Sequence, residues 1–409
     1  MMSLYLVASF VPMGINLALM PVYSLYMEKS DFAIVSYFNS FNSLFFPFIL
    51  FYLNQYYMRE YFYLDEEGKE KLYANMYKTF LFLPFAGALI SSLFVCFYIL
   101  FFNSKSSIPF FPYGPLTFFS IAFTGLYYIE QVELKNSRNA KGYLYIVLFY
   151  SVAGSLISVF LVAIANWGAL GKMLGVFVSS VLIFLYLLKK KWTKIHLYSF
   201  EWRMLKNAVV FCLPLVFAAM LNFFSNGMDR ILLERSVSVD TLGVYSIGIS
   251  IGGTMSIFSS SIGNTFSPDI FEALAKKDKI KMMKYVFLQF SIMLAVVLVF
   301  VLLAKFLIIV FTANRYLEAT PIARITAFNA LTTMMYSVVS NVIFSYKKTK
   351  LILYTKIIGS IICVGMYFIL IKYYKEIGAA VGYVCGNIIF SVIALLMLFF
   401  SLSVDKKRI

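Results

Sequence analysis

The sequence predicts an all-α integral membrane protein, with about twelve transmembrane helices in two pseudo-symmetric six-helix lobes. Three observations predict it. Hydrophobic residues make up 61% of the 409 positions and charged residues 13%, where a soluble domain carries roughly 45–50% and 25%. So few charges cannot cover a water-exposed surface. The apolar runs continue unbroken for about 20 residues, the length of a helix crossing ~30 Å of hydrocarbon, and do not alternate as barrel strands do. The chain also repeats itself: Glu28-Lys29-Ser30 with Phe32-Ala33-Ile34-Val35-Ser36 is echoed by Glu234-Arg235-Ser236 with Leu242-Gly243-Val244-Tyr245-Ser246. Gly168-Ala169 with Gly171 and Gly175 is echoed by Gly378-Ala379 with Gly382 and Gly386, and the offset from Phe32 to Leu242 equals that from Gly168 to Gly378. Two similar halves suit two bundles that rock around a central site.

The expected spans are 4–27, 32–57, 79–102, 110–132, 143–165, 167–188, 207–228, 241–266, 285–311, 318–346, 351–371 and 377–402. They divide the chain into an N-terminal lobe at 1–188, a cytoplasmic interfacial linker at 189–206 and a C-terminal lobe at 207–409. The start, Met1-Met2-Ser3, lacks a basic region before its apolar run and is read as the opening of a first span, not a cleaved signal. Basic residues set the orientation. With the N-terminus inside, 25 of the 35 Lys and Arg fall in inner loops and flanks, as in Lys189-Lys190-Lys191, Lys276-Lys277, Lys347-Lys348 and Lys406-Lys407-Arg408. Lys105 and Lys305 are among those at outer ends. This asymmetry places both termini in the cytoplasm. The formal net charge of +16 then reflects topology and attraction to anionic lipid, and no nucleic-acid module is visible. The linker mixes basic residues with Trp192, Tyr198, Phe200 and Trp202, which suits a segment lying on the membrane or a hinge between lobes.

Cys96, Cys212, Cys363 and Cys385 all lie in apolar runs and read as small buried hydrophobes. His196 is the one histidine, and no close cluster of metal ligands occurs, so neither metal nor cofactor is expected. Asp-x-Asp pairs and a Gly-x-x-x-x-Gly-Lys loop are missing, which argues against an enzyme.

Polar groups inside a bilayer are costly and mark candidate sites. Ser36, Asn39, Ser40 and Ser43 share one helical face. So do Gly243, Ser246, Ser250 and Thr254, with Ser36 and Ser40 matching Ser246 and Ser250 in the repeat. The stripes are either helix–helix contacts or facing walls of a wet path. Pro12 with Asn16, and Pro214 with Asn222, place a kink-forming residue beside an amide in the first span of each half. Asp229-Arg230 falls where the seventh span reaches the outer side and is a candidate contact on the substrate path, with Arg230 guiding an anionic headgroup. Arg324 lies about two turns into the tenth span and suits an anionic substrate, while Lys305 is a candidate for snorkelling. Glu130, beside Gln131, is the acidic candidate for coupling to an ion, H+ or Na+. The glycine pairs Gly171/Gly175 and Gly382/Gly386 have helix-packing spacing.

The run Met228-Asp229-Arg230-Ile231-Leu232-Leu233 followed by Leu242-Gly243-Val244-Tyr245-Ser246 resembles the start of the second half of bacterial polysaccharide-unit flippases. So do Gly168-Ala169-x-Gly171 and Gly378-Ala379-x-x-Gly382, which open the sixth and twelfth spans. These are the Wzx-type O-antigen and capsule transporters of the multidrug/oligosaccharidyl-lipid/polysaccharide exporter superfamily. The resemblance implies translocation of an undecaprenyl-diphosphate-linked oligosaccharide between leaflets, with membrane lipid around it and a polysaccharide polymerase and chain-length regulator as partners. The chain departs from the pattern in placing no Lys or Arg clearly at mid-bilayer, where such transporters often line the cavity with cations. A drug or cation exporter of the same superfamily would need acidic groups inside the lobes, which are scarce here. A polytopic O-antigen polymerase or glycosyltransferase would need a large external loop, which the spans leave no room for.

Overall fold

The computed structural model describes residues 2–103, 106–276, 278–346, 348 and 350–406. Lys105, Lys277, Lys347, Lys407 and Arg408, counted above toward orientation, lie outside these, as do the side chains of Lys194 and Lys406. Helices account for nearly all the described residues, among which there is no strand.

The chain divides into two compact units, Met1–Met220 and Leu221–Ile409. The first contains α1 (Met2–Tyr26), α2 (Lys29–Leu50), α3 (Leu53–Glu60), α4 (Glu66–Thr79), α5 (Leu83–Phe97), α6 (Tyr113–Phe123), α7 (Gly125–Asn136), α8 (Ala140–Val159), α9 (Gly168–His196) and α10 (Trp202–Met220). The second contains α11 (Phe223–Asn226), α12 (Met228–Glu234), α13 (Val239–Gly252), α14 (Met255–Ala275), α15 (Lys279–Thr312), α16 (Thr320–Ala327), α17 (Asn329–Ser345) and α18 (Lys350–Lys406), the last broken at Lys375.

Among the described residues, nine helical stretches are long and apolar enough to cross a membrane. The nine correspond to the expected twelve with three differences. The apolar part of α1 is only Phe10–Tyr26. The expected span 110–132 is split into α6 and α7, and α7 carries Glu130, Glu133 and Lys135. The last two spans run together as Lys350–Ser401, separated only by the break at Lys375, where φ is 47° and ψ −126°. Leu302 at 78%, Phe287 at 74% and Phe101 at 69% exposure are typical of the outward faces. Exposed apolar area on that scale belongs in lipid, not water.

Several expected single spans are bent rods. Pro47 lies inside α2, where it leaves a helical carbonyl without its donor. Shortly beyond it Phe51 and Tyr52 take left-handed φ of 52° and 51°, and the chain resumes as α3. The turn between α13 and α14 falls at Gly253 and Thr254. Just before it, a Cβ at Gly252 would stand 2.2 Å from Thr326 Oγ1 and 2.6 Å from the Ala323 carbonyl oxygen. Only glycine lets α13 approach α16 so closely.

The two units reuse one packing scheme. In the first, α2 lies on α5 and α6, and α8 packs between α1 and α9. In the second, α13 lies on α16, α14 packs against both α15 and α17, and α17 lies along α18. The segment expected as a linker is bonded into the first unit. Asn75 of α4 donates to the Glu201 carbonyl at 3.0 Å and accepts from the Glu201 amide at 3.2 Å. Phe82 packs against Phe200 and Trp202, and α10 continues onto α2 and α3. The unit boundary therefore comes after Met220.

Candidate functional site

A groove of about 190 Å³ in the second unit, between α14, α15 and α17, has a polar lining. Two helices supply its walls by simple periodicity. On α14, Ser256, Ser260, Gly263, Asn264 and Ser267 recur every three or four residues, so one face is polar from end to end. On α17, Thr333, Ser337 and Asn341 do the same at intervals of four. Between them α15, otherwise almost wholly apolar, contributes Gln289. No lining residue carries a formal charge.

Part of this polarity is internally satisfied. Ser259 donates across to the Ala330 carbonyl at 2.8 Å, which ties α14 to α17. The Asn341 amide donates to Ser267 Oγ at 3.3 Å. Behind Thr333, buried Asn387 of α18 donates to Thr333 Oγ1 and to Asn329 Oδ1, both at 3.0 Å, and fixes that wall. Gln289 differs. It is 1% exposed, and its Nε2 amide has no protein partner. An orphaned buried amide costs roughly 1–3 kcal/mol, so the groove is built with a donor waiting. Hydroxyls and neutral amides offer both donors and acceptors. Such a lining complements a ligand rich in hydroxyl and amide groups and gives no counter-charge to an ion.

A second polar cluster closes one end of the first unit. Glu130 of α7 is 2% exposed, 2.9 Å from Lys191 Nζ of α9, and accepts from Tyr73 OH of α4 at 2.5 Å. One turn on, Glu133 accepts from Tyr57 OH. Burial holds the Glu133 carboxyl above the usual carboxylate range; Tyr57's hydrogen bond and Lys191 pull it down, and neighbouring Glu130 pushes it up. A cavity of about 290 Å³ beside the cluster is lined by Tyr61, Glu66, Lys69, Glu70 and Tyr198 among others. Glu130, the coupling candidate, is thus fully partnered by its own unit. Among the described residues, no group of three or more His, Cys, Asp or Glu is arranged to hold a metal.

The remaining sequence candidates are dispersed. Ser40 and Ser246 are buried, their hydroxyls spent on the carbonyls of Ser36 and Leu242. Ser36 is half-buried, while Asn39, Ser250 and Asn16 are exposed. Asn222 accepts from Lys356 Nζ. Arg324 is exposed, its Nε donating to the Val301 carbonyl at 3.2 Å, beside an apolar groove that includes Phe328, Val384 and Cys385. The reading of Asp229 and Arg230 as substrate contacts is revised. Asp229 is fully buried and accepts from Tyr245 OH at 2.6 Å. The Arg230 guanidinium lies 3.4 Å from Asp229 and donates to the Asn226 carbonyl at 3.2 Å. This ion pair is committed to joining α11, α12 and α13, because a charge taken out of water holds its partner tightly.

Sequence reasoning missed the groove. Its polar stripe on α13 stopped at Thr254, where the rod bends, although the four-residue spacing resumes at Ser256. The signal for α17 was the same spacing, and for α15 a lone Gln in an apolar run.

A polytopic α-helical chain of this packing has the fold of known transporters. The structure aligns with lipid II flippase MurJ in an inward closed conformation at a TM-score of 0.76 and 16% identity, covering 97% of this chain and 87% of that one. It also aligns with an inward-facing multidrug resistance MATE family transporter of the MOP superfamily at a TM-score of 0.72 and 14% identity, covering 98% and 99%. The chain belongs to the family described as polysaccharide biosynthesis protein, whose pattern matches residues 68–321, well over half its length. Protein 1 of the Lsg locus of Haemophilus influenzae is 23% identical over 252 residues, 59% of this chain and 63% of that relative, so the match spans less than two thirds of the relative's length. The resemblance to polysaccharide transporters drawn from the residues is borne out at the level of this family and of the fold.

Proposed function

We propose that the protein flips undecaprenyl-diphosphate-linked oligosaccharide repeat units across the bacterial inner membrane, for assembly of O-antigen or capsule. The observation that carries this reading is the uncharged hydroxyl and amide groove with its unpartnered Gln289 amide, set in a chain of the polysaccharide biosynthesis family. The sugar headgroup cannot cross hydrocarbon unaided, whereas the polyprenyl tail is at home there. The groove takes the saccharide, Arg324 meets the diphosphate, and the tail stays in lipid. Of the two serine stripes, Ser36, Asn39 and Ser250 meet the headgroup, each within its own unit, while Ser40 and Ser246 hold their own helices; Asn16 of α1 and Asn222 are further polar contacts. The two halves alternate access, both termini are cytoplasmic, and Glu130 couples the motion to an ion if one is used. A polymerase and a chain-length regulator act on the product.

The fold is equally that of the matched multidrug transporter, and one experiment separates the readings. Deletion of the gene in its native host should leave lipid-linked repeat units on the cytoplasmic face and abolish surface polysaccharide. Normal surface polysaccharide with altered drug sensitivity would establish the exporter instead. Failure to make the repeat units at all would indicate an enzyme.

A further inference from the structure

A second cavity lies in the second unit, where α12 ends and α18 breaks, apart from the polar groove. Its volume is about 540 Å³, and it is lined by Leu232, Arg235 and Ser236 from one side and by residues Phe368 to Lys375 from the other. Three of the lining side chains are cationic, Arg235, Lys372 and Lys375, and none is acidic. Phe368, Ile369 and Tyr373 at its rim are 56%, 61% and 70% exposed, so an apolar surface adjoins the cations.

We propose that this cavity is a binding site for a phosphate-bearing lipid, its anionic headgroup held by Arg235, Lys372 and Lys375 and its hydrocarbon laid along Phe368, Ile369 and Tyr373. Arg235 and the two lysines come from two elements about 140 positions apart and line one cavity, so a phosphate there meets donors from both sides. Arginine and lysine supply charge-assisted hydrogen bonds to phosphate oxygens. Snorkelling accounts for single lysines near helix ends; it does not require that three cations share one cavity. The backbone adds an independent observation. Lys375 holds φ 47° and ψ −126° at the break in α18, a strained conformation for a residue with a side chain, and such strain gathers at ligand sites. Lys372 Nζ also sits 5.8 Å from the centroid of the Tyr373 ring, which ties the cationic and apolar parts together. The volume lies within the range of small-ligand sites, about 300–1,000 Å³. The site does not depend on what the polar groove carries.

The test is binding to the full-length chain in neutral detergent, measured by native mass spectrometry with four probes: a polyprenyl diphosphate, phosphatidylglycerol, phosphatidylcholine and inorganic diphosphate. The two anionic lipids should bind at least about tenfold more tightly than phosphatidylcholine or inorganic diphosphate. The combined change Arg235→Gln, Lys372→Gln, Lys375→Gln should abolish that preference for phosphatidylglycerol and weaken binding of the polyprenyl diphosphate, which the Arg324 groove also takes. Lys372→Arg with Lys375→Arg should keep the preference, which guards against a folding defect. Tighter binding of the polyprenyl diphosphate than of phosphatidylglycerol assigns the site to a lipid-linked substrate or product, and equal binding assigns it to membrane phospholipid; either supports the site. An unchanged preference in the neutralised chain, or inorganic diphosphate binding as tightly as the lipids, would overturn the proposal.

Discussion

Gln289 sets stability against function. Its side chain is 1% exposed and its Nε2 has no partner, so the amide lowers stability while making the groove polar. Replacement by methionine keeps the length and flexibility of the side chain and removes the orphaned donor. The relief is about 1–2 kcal/mol, toward the lower part of the range for a buried unsatisfied group, because a methionine in the same place leaves the groove hydroxyls one fewer potential partner. For a unit of this size, each kcal/mol moves Tm by about 2–4 °C. The Gln289→Met chain should therefore unfold about 2–8 °C higher than the native chain when intrinsic fluorescence is followed on heating in detergent. Export of polysaccharide in cells should fall, since the groove loses its central donor. A lower Tm for Gln289→Met would refute the reasoning, because it would mean that the amide already has a partner.

Other changes sort structure from function. Lys191→Met leaves Glu130 buried with no cation and should destabilise the first unit by about 3–5 kcal/mol, whereas the double change with Glu130→Gln should recover most of that loss in the same unfolding assay. Gly252→Val places a side chain against Thr326 and the Ala323 carbonyl; it should cost more than about 3 kcal/mol, seen as a collapse of membrane-inserted protein. Ser337→Ala and Asn341→Leu should each reduce export with protein levels unchanged. The Glu133 carboxyl is held above its ordinary value by burial, so the folded chain binds that proton more tightly than the unfolded chain does. Its stability contribution is full at low pH and is lost as pH rises from the ordinary carboxylate value, about 4.3, through the raised value. Across that window the Tm of the native chain should fall relative to Glu133→Gln; parallel curves would remove Glu133 from the account.

The membrane class and the division into two similar packing schemes were legible in the sequence, because both follow from apolar run length and from repeated residues. Helix count was less legible. Charge on α7 decides where the fourth span stops and was not read from hydropathy, whereas the break at Lys375 falls in the gap expected between 351–371 and 377–402. Charged residues misled most. Asp229 and Arg230 were read as substrate contacts because they sit near a span end, yet Tyr245 OH bonds Asp229 and Arg230 bonds the Asn226 carbonyl. Their partner Tyr245 lies 16 residues on, across a turn, so no helical spacing reveals it. The groove was half legible. The Ser and Asn spacing on α14 and α17 is visible in the sequence, but that the two faces meet around Gln289 depends on how α14 and α17 pack with α15.

The central claim is that the chain moves a lipid-linked saccharide by way of the α14–α15–α17 groove. Its most direct test is transbilayer movement of a fluorescent polyprenyl-diphosphate saccharide in vesicles containing the purified chain, with and without Ser337→Ala and Asn341→Leu combined. The expected result is movement in vesicles with the native chain, at least about tenfold slower with the altered groove, as two lost hydrogen bonds of roughly 1 kcal/mol each require. Movement at the native rate with the altered groove, or none with the native chain under any imposed H+ or Na+ gradient, would contradict it.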